Sequence, residues 1–193
     1  MKTRLSLSIA LALGLAMGGA QADRLRMEVL AAPCAGCHGT DGASAGTSMP
    51  TIGGLPKEYF IGVMQKFRDG RRVSTIMGRI ARGYSDEEIA RMAEYFSTKP
   101  WKPHKAKLDP KLVAKGKALH EKYCANCHLA GGRYAEATLP RLGGQWPDYL
   151  HTQLVECKLE DRPVPQPNLM ELRLGKLSDE DLEALAEFYA SQH

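Results

Sequence analysis

The stretch "CAGCHGTDG" (34–42) returns ninety positions later as "CANCHLAGG" (124–132). The repetition runs well beyond the motif, and an internal repeat decides a fold before any local propensity does. At the same offset Pro50, Gly53 and Gly54 fall on Pro140, Gly143 and Gly144, and Tyr59 falls on Tyr149. After a three-residue insertion the echo resumes, with "YSDEEIARMAEYFS" (84–97) matching "LSDEDLEALAEFYAS" (177–191). A chain written this way is two copies of one unit. Between them lies "KPWKPHKAKLDP" (99–110), whose prolines predict a stiff, extended linker.

Each unit reads as helical. Ser85 and Ser178 precede acidic first turns and are expected N-caps. Behind them Ile89, Met92, Ala93 and Phe96 recur at helical spacing, as do Leu182, Leu185, Ala186 and Tyr189. Leu112, Gly116, Leu119 and Tyr123 trace another helix starting near Pro110, and 23–32 is its counterpart in the first unit. Middle helices fit 57–67 and 148–159. No strand alternation is evident. The expected fold is all-α: two tandem domains, 23–98 and 111–193, joined by the 99–110 linker. Each domain is near the size at which an apolar core alone suffices, so a large apolar ligand would help it.

Residues 1–22 read as a secretory signal. Lys2 and Arg4 open it, Leu5 to Ala16 form a short apolar run, and Ala20-Gln21-Ala22 offers small residues for cleavage. A membrane helix is the alternative, but the run is too short to span. The mature protein is then expected to begin at Asp23, in the periplasm, with no integral membrane segment. Setting Lys2 and Arg4 aside leaves 24 basic and 22 acidic side chains, which is no nucleic-acid signature. Arg68, Arg71, Arg72, Arg79 and Arg82 form a basic cluster, read either as a solvated helix face or as a docking rim.

Three chemistries use Cys-x-x-Cys. A zinc site would need both pairs together and would leave two histidines over. A thioredoxin-like redox pair should lie beside a βαβ pattern, which is missing. Cys-x-x-Cys-His is also the attachment signal for c-type haem. Cysteines three apart reach both vinyl groups, and the next residue supplies an axial imidazole. On that reading Cys34 and Cys37 hold one haem c, Cys124 and Cys127 a second, with His38 and His128 on the irons. Two haems add four propionates and turn the mature charge to about −2.

A sixth ligand is then needed. After Met92 the chain has one methionine, Met170, 42 residues past His128 and placed in a loop before the closing helix. Its counterpart is Met77, 39 residues past His38. Met92 and Met64 read as core, and Met49 lies too close to Pro50 to cross to the far side. The expected pairs are His38/Met77 and His128/Met170. His/Met ligation raises the potential of a haem, which suits an acceptor of electrons. Nothing resembles a pocket with a nucleophile and base. Cys157, aligned with Phe67, reads as a buried free thiol, with a link to another chain as the alternative. His104 is a linker residue and His151 an exposed one.

The mature chain resembles the dihaem cytochromes of the cytochrome c4 type, and within that group the cytochrome subunits of flavocytochrome c sulfide dehydrogenases. "STIMGRIARGYS" (74–85), "GKALHEKYCANCH" (116–128), "GGQWPDYL" (143–150) and the ending "FYASQH" carry the likeness. It implies two class I cytochrome c domains. It implies that the Pro50 and Pro140 carbonyls accept the second ring N–H of each axial histidine, and that His120 packs at a helix crossing. It further implies a separate FAD-containing subunit that oxidises sulfide, with the dihaem chain passing electrons on to a soluble acceptor such as a small cytochrome c. The N-terminal haem would sit nearer the flavin. A free-standing c4-like carrier feeding a terminal oxidase is the rival. A dihaem peroxidase is a further one, and it would need an open sixth position.

Overall fold

The structure is a computed structural model and describes residue 21, residues 23–159 and residues 164–193. Apart from residue 21, the expected leader lies outside the described residues. So does the 160–163 part of the proline-rich segment before Met170.

Among the described residues the regular elements are helices. The first domain contains α1 (23–31), α2 (Lys57–Arg68), α3 (Met77–Ala81) and α4 (Asp86–Ser97). The second contains α5 (Pro110–Leu119), α6 (Pro147–Glu156), α7 (Asn168–Leu174) and α8 (Asp179–Ala190). Glu136 and Leu139 form an isolated β-bridge.

Both closing helices start where the sequence places them. Ser85 and Ser178 each accept from the backbone N–H three residues on, and Glu88 and Asp181 reach back to the serine N–H. These reciprocal boxes satisfy donors that a helix start leaves open. The stripes behind them are fully buried: Ile89, Met92, Ala93 and Phe96 in α4, and Leu182, Leu185, Ala186 and Tyr189 in α8. Each buried large side chain contributes roughly 1.5–3 kcal/mol by leaving water. Met64 and Met92 both lie in the first core, as expected for packing residues.

Helix α5 crosses α8 at Gly116. A Cβ there would lie 1.9 Å from the Ala184 carbonyl oxygen, so only glycine permits this approach. His120 packs in the same place, with its ring 4.9 Å from Phe188 and its Nδ1 3.1 Å from the Tyr189 hydroxyl.

The duplication persists at the level of single backbone bonds. The amides of Ile52 and Gly53 both donate to the Gly42 carbonyl, and those of Leu142 and Gly143 to the Gly132 carbonyl. Gly54 N–H then donates to Phe96 O, and Gly144 N–H to Tyr189 O. Gly54 and Gly144 share the left-handed conformation, at φ 77° and 76°. Both abut the connecting segment: a Cβ on Gly54 would lie 2.8 Å from Trp101 N, and one on Gly144 2.7 Å from Pro103. The 99–110 segment, expected as a stiff, extended linker, therefore packs against both repeats. His104 locks it down. The ring is buried, its Nε2 donates to Ala190 O at 3.0 Å, and its Nδ1 accepts from Ala106 N at 2.8 Å.

Candidate functional site

In the first domain Cys34 closes a short 3₁₀ turn and the one-turn helix Ala35–His38 follows. Cys34 packs half-buried on the core of Phe60, Met64, Ile89, Met92 and Phe96, while Cys37 is exposed. The chain must reverse directly after His38. Gly39 does this at φ 74°, where a Cβ would meet the Ala43 carbonyl oxygen at 2.0 Å. That turn leads the chain back so that His38 Nδ1 lies 2.9 Å from Pro50 O. Nδ1 carries the donated proton, which leaves the Nε2 lone pair free for a metal. Burial pushes the His38 imidazole below its ordinary value, and the Pro50 bond opposes that in part.

The second domain departs from this. Leu129 stands where Gly39 stands and cannot take the left-handed turn cheaply. The positive φ moves one residue on, to Ala130 at 53°, while Gly131, at 67°, matches Asp41, at 58°, in the first repeat. His128 leaves the helical conformation, at φ −88° and ψ 72°. Its Nδ1 is buried without a hydrogen-bond partner, so the expected Pro140 contact is not made here. Desolvation, then the neighbouring His120, pushes the His128 pKa down to about 4, and its lone pair is free at neutral pH.

Each methionine shares a core with one cysteine of its own motif. Met77 opens α3, its N–H held by Ser74 Oγ at 3.0 Å, and packs on the cluster that takes Cys34. Met170 packs on the cluster that takes Cys124. It lies within α7, not in a loop, because Pro167 starts a helical turn whose carbonyl accepts from Met170 N at 2.9 Å. None of the five cysteines is disulfide-bonded to another. Among the described residues no three His, Cys, Asp or Glu side chains converge on a common point, which disfavours a shared zinc site.

These residues fit a haem in each domain. Both imidazoles are neutral, His38 buried and His128 half-buried with an orphan Nδ1, and paired thiols and a methionine border each core. A haem held there would supply a one-electron iron couple. Cys34/Cys37 and Cys124/Cys127 would tether it, and His38, His128, Met77 and Met170 would be the side chains offered to its iron.

The arginine cluster is largely committed within the protein. Arg68 binds Asp69 and Asp86, and Arg71 binds Asp69. Arg72 turns inward, with its guanidinium 4.8 Å above the Phe67 ring and donating to Gln153 of the other domain. It lies beside the Tyr59 and Tyr149 phenols, and burial, then Tyr149, pushes Tyr59 up to about 12. Arg79 and Arg82 lie near Met77, with Arg82 Nε donating to Gly78 O at 3.0 Å, among exposed Val73, Ile76 and Ile80. Cys157 is half-buried on the second core, as Phe67 is on the first, and His151 is half-buried instead of exposed.

Sequence reasoning missed Gln145. It is buried, with Oε1 2.9 Å from Thr51 N and Nε2 2.9 Å from Thr51 O in the other domain. The signal available was the repeat itself, because Gln145 stands where the first unit has Leu55. Two neighbours add to this junction: Trp146 Nε1 donates to Ser44 O at 3.1 Å, and Tyr149 N to Thr47 O at 3.2 Å.

Residues 27–99 match the cytochrome c family, and residues 111–188 match the family described as cytochrome C oxidase, cbb3-type, subunit III. The chain is 31% identical to cytochrome c4 of Pseudomonas aeruginosa, over 98% of this chain and 99% of that one. It is 48% identical over 79 residues to the cytochrome subunit of sulfide dehydrogenase of Chlorobaculum tepidum, covering 41% of this chain and 71% of that one. The crystal structure of reduced recombinant cytochrome c4 from Pseudomonas stutzeri superposes with a TM-score of 0.77 at 26% identity, over 88% of this chain and 98% of that one.

Proposed function

The chain belongs to the dihaem cytochromes c of the c4 type and is an electron-transfer protein, and from that premise we propose that it is the cytochrome subunit of a flavocytochrome c sulfide dehydrogenase. A periplasmic partner subunit carrying FAD oxidises sulfide, and this chain takes the electrons and hands them to a soluble acceptor. The observation that supports this is the 48% identity to a sulfide dehydrogenase cytochrome subunit over 79 residues, 41% of the chain. The chemistry agrees. A reduced flavin holds two electrons, and two haems relieve it one at a time. His38/Met77 and His128/Met170 are the axial pairs in this reading. Arg79 and Arg82, with Val73, Ile76 and Ile80, form the face turned to the flavoprotein.

A second reading is a free-standing carrier, favoured by the near full-length match to cytochrome c4. Native size-exclusion from the source periplasm, with haem and flavin absorbance recorded together, separates the two. Co-elution of flavin with haem above the mass of the lone chain supports the sulfide dehydrogenase subunit. Haem alone at the size of the chain overturns it in favour of the carrier.

A further inference from the structure

We propose that Gln145, in the C-terminal domain, is a positioning residue for the axial histidine of the N-terminal haem and lowers that haem's potential. One peptide unit links the two side chains. The Pro50–Thr51 peptide carries two bonds at once: its carbonyl accepts from His38 Nδ1 at 2.9 Å, and its N–H donates to Gln145 Oε1 at 2.9 Å. Hydrogen bonds at both ends of a peptide polarise it cooperatively. Drawing density toward the carbonyl makes Pro50 O a stronger acceptor. The His38 ring then carries more imidazolate character, and a more basic ligand stabilises ferric iron over ferrous.

The amide is fixed in the orientation this needs. Oε1 accepts from both Thr51 N and Trp146 N, the latter at 3.2 Å, while Nε2 donates to Thr51 O. Turned over, its NH₂ would face two N–H donors. Gln145 and Thr51 are 3% and 1% exposed, so no water competes for these bonds. The effect runs one way. Leu55, at the matching place in the first repeat, has no amide to offer to the second domain, and His128 Nδ1 there has no partner to be strengthened. The contact therefore ties the N-terminal axial ligand to the seating of the C-terminal domain, 94 residues away in sequence.

The proposal rests on His38 as an iron ligand, not on the flavoprotein partner. The test uses the full-length dihaem protein. Redox titration is followed by NMR, which resolves the two haems, in wild type, Gln145→Met and Gln145→Leu. Both variants are expected to raise the potential of the N-terminal haem and leave the C-terminal one in place. An unmoved N-terminal potential, or an equal shift of both haems, overturns the role of Gln145. Slow hydrogen exchange of the wild-type Thr51 amide is expected independently of any variant, and exchange at the rate of an open loop overturns the proposal. A wild-type N-terminal haem without a histidine ligand overturns both this proposal and the ligand reading beneath it.

Discussion

Replacing Gly116 with alanine adds one carbon at the α5–α8 crossing, and the structure sets the scale of its effect. The new Cβ would lie 1.9 Å from Ala184 O, 2.6 Å from Ala184 C and 2.7 Å from Phe188 Cβ. An ordinary contact begins near 3.4 Å, so the helices must part by about 1.5 Å at a backbone contact that no rotamer change relieves. Overpacking of this kind costs about 3 kcal/mol, at the upper end of the usual range. The better helix propensity of alanine offsets about 1 kcal/mol. The net loss of about 2 kcal/mol lowers the melting temperature of a domain this size by roughly 8–16 °C. Gly62 in α2 supplies the opposite sign, because a Cβ there meets nothing within 4 Å. Gly62→Ala is expected to stabilise by up to about 1 kcal/mol. Thermal unfolding of the oxidised holoprotein, followed by circular dichroism, reads both. A Gly116→Ala protein that melts at or above wild type refutes the close-crossing argument.

Met170→Ala and Met77→Ala are each expected to remove about half of the ferric protein's weak sulfur-to-iron absorption and to lower one haem potential; an unchanged band excludes that methionine as a ligand. Burial pushes His104 below its ordinary 6.5, so its contribution to stability is complete above that pH and fades as acid protonates Nδ1 against Ala106 N–H. Melting temperatures from pH 7 to pH 5 should therefore fall more steeply in wild type than in His104→Gln, and parallel slopes would count against it. Burial pushes Cys157 up to about 11, so at pH 8 only about one thiol in a thousand is ionised. Native alkylation should be slow, with fast labelling showing an open site.

What the sequence made legible was whatever both repeats repeat. The serine boxes, the stripes of α4 and α8 and the start of α5 are local patterns written twice, and each needs only neighbouring residues to form. Met64 and Met92 were recognisable as core because they fall on helical stripes. The setting of His128 was hidden, since Leu129 in place of Gly39 alters a turn whose result depends on φ values no pattern displays. The docking of the linker was hidden for a related reason: it depends on Gly54 and Gly144, elsewhere in the chain, lacking side chains. Gln145 and Arg72 act across the domain boundary and His104 holds the linker to the second domain, at separations of 94, 81 and 86 residues. Such partners are fixed by tertiary packing, and of the three only Gln145 leaves a trace, a polar residue where the first repeat has Leu55.

The central claim is that both repeats hold a covalently attached haem, and intact mass of the mature exported protein tests it most directly. The account expects a chain beginning at Asp23 and carrying two haem masses, one of which disappears when Cys34 and Cys37 are replaced and the other when Cys124 and Cys127 are. A chain without added mass, or one shortened by two hydrogens per cysteine pair, would show disulfides instead and contradict it.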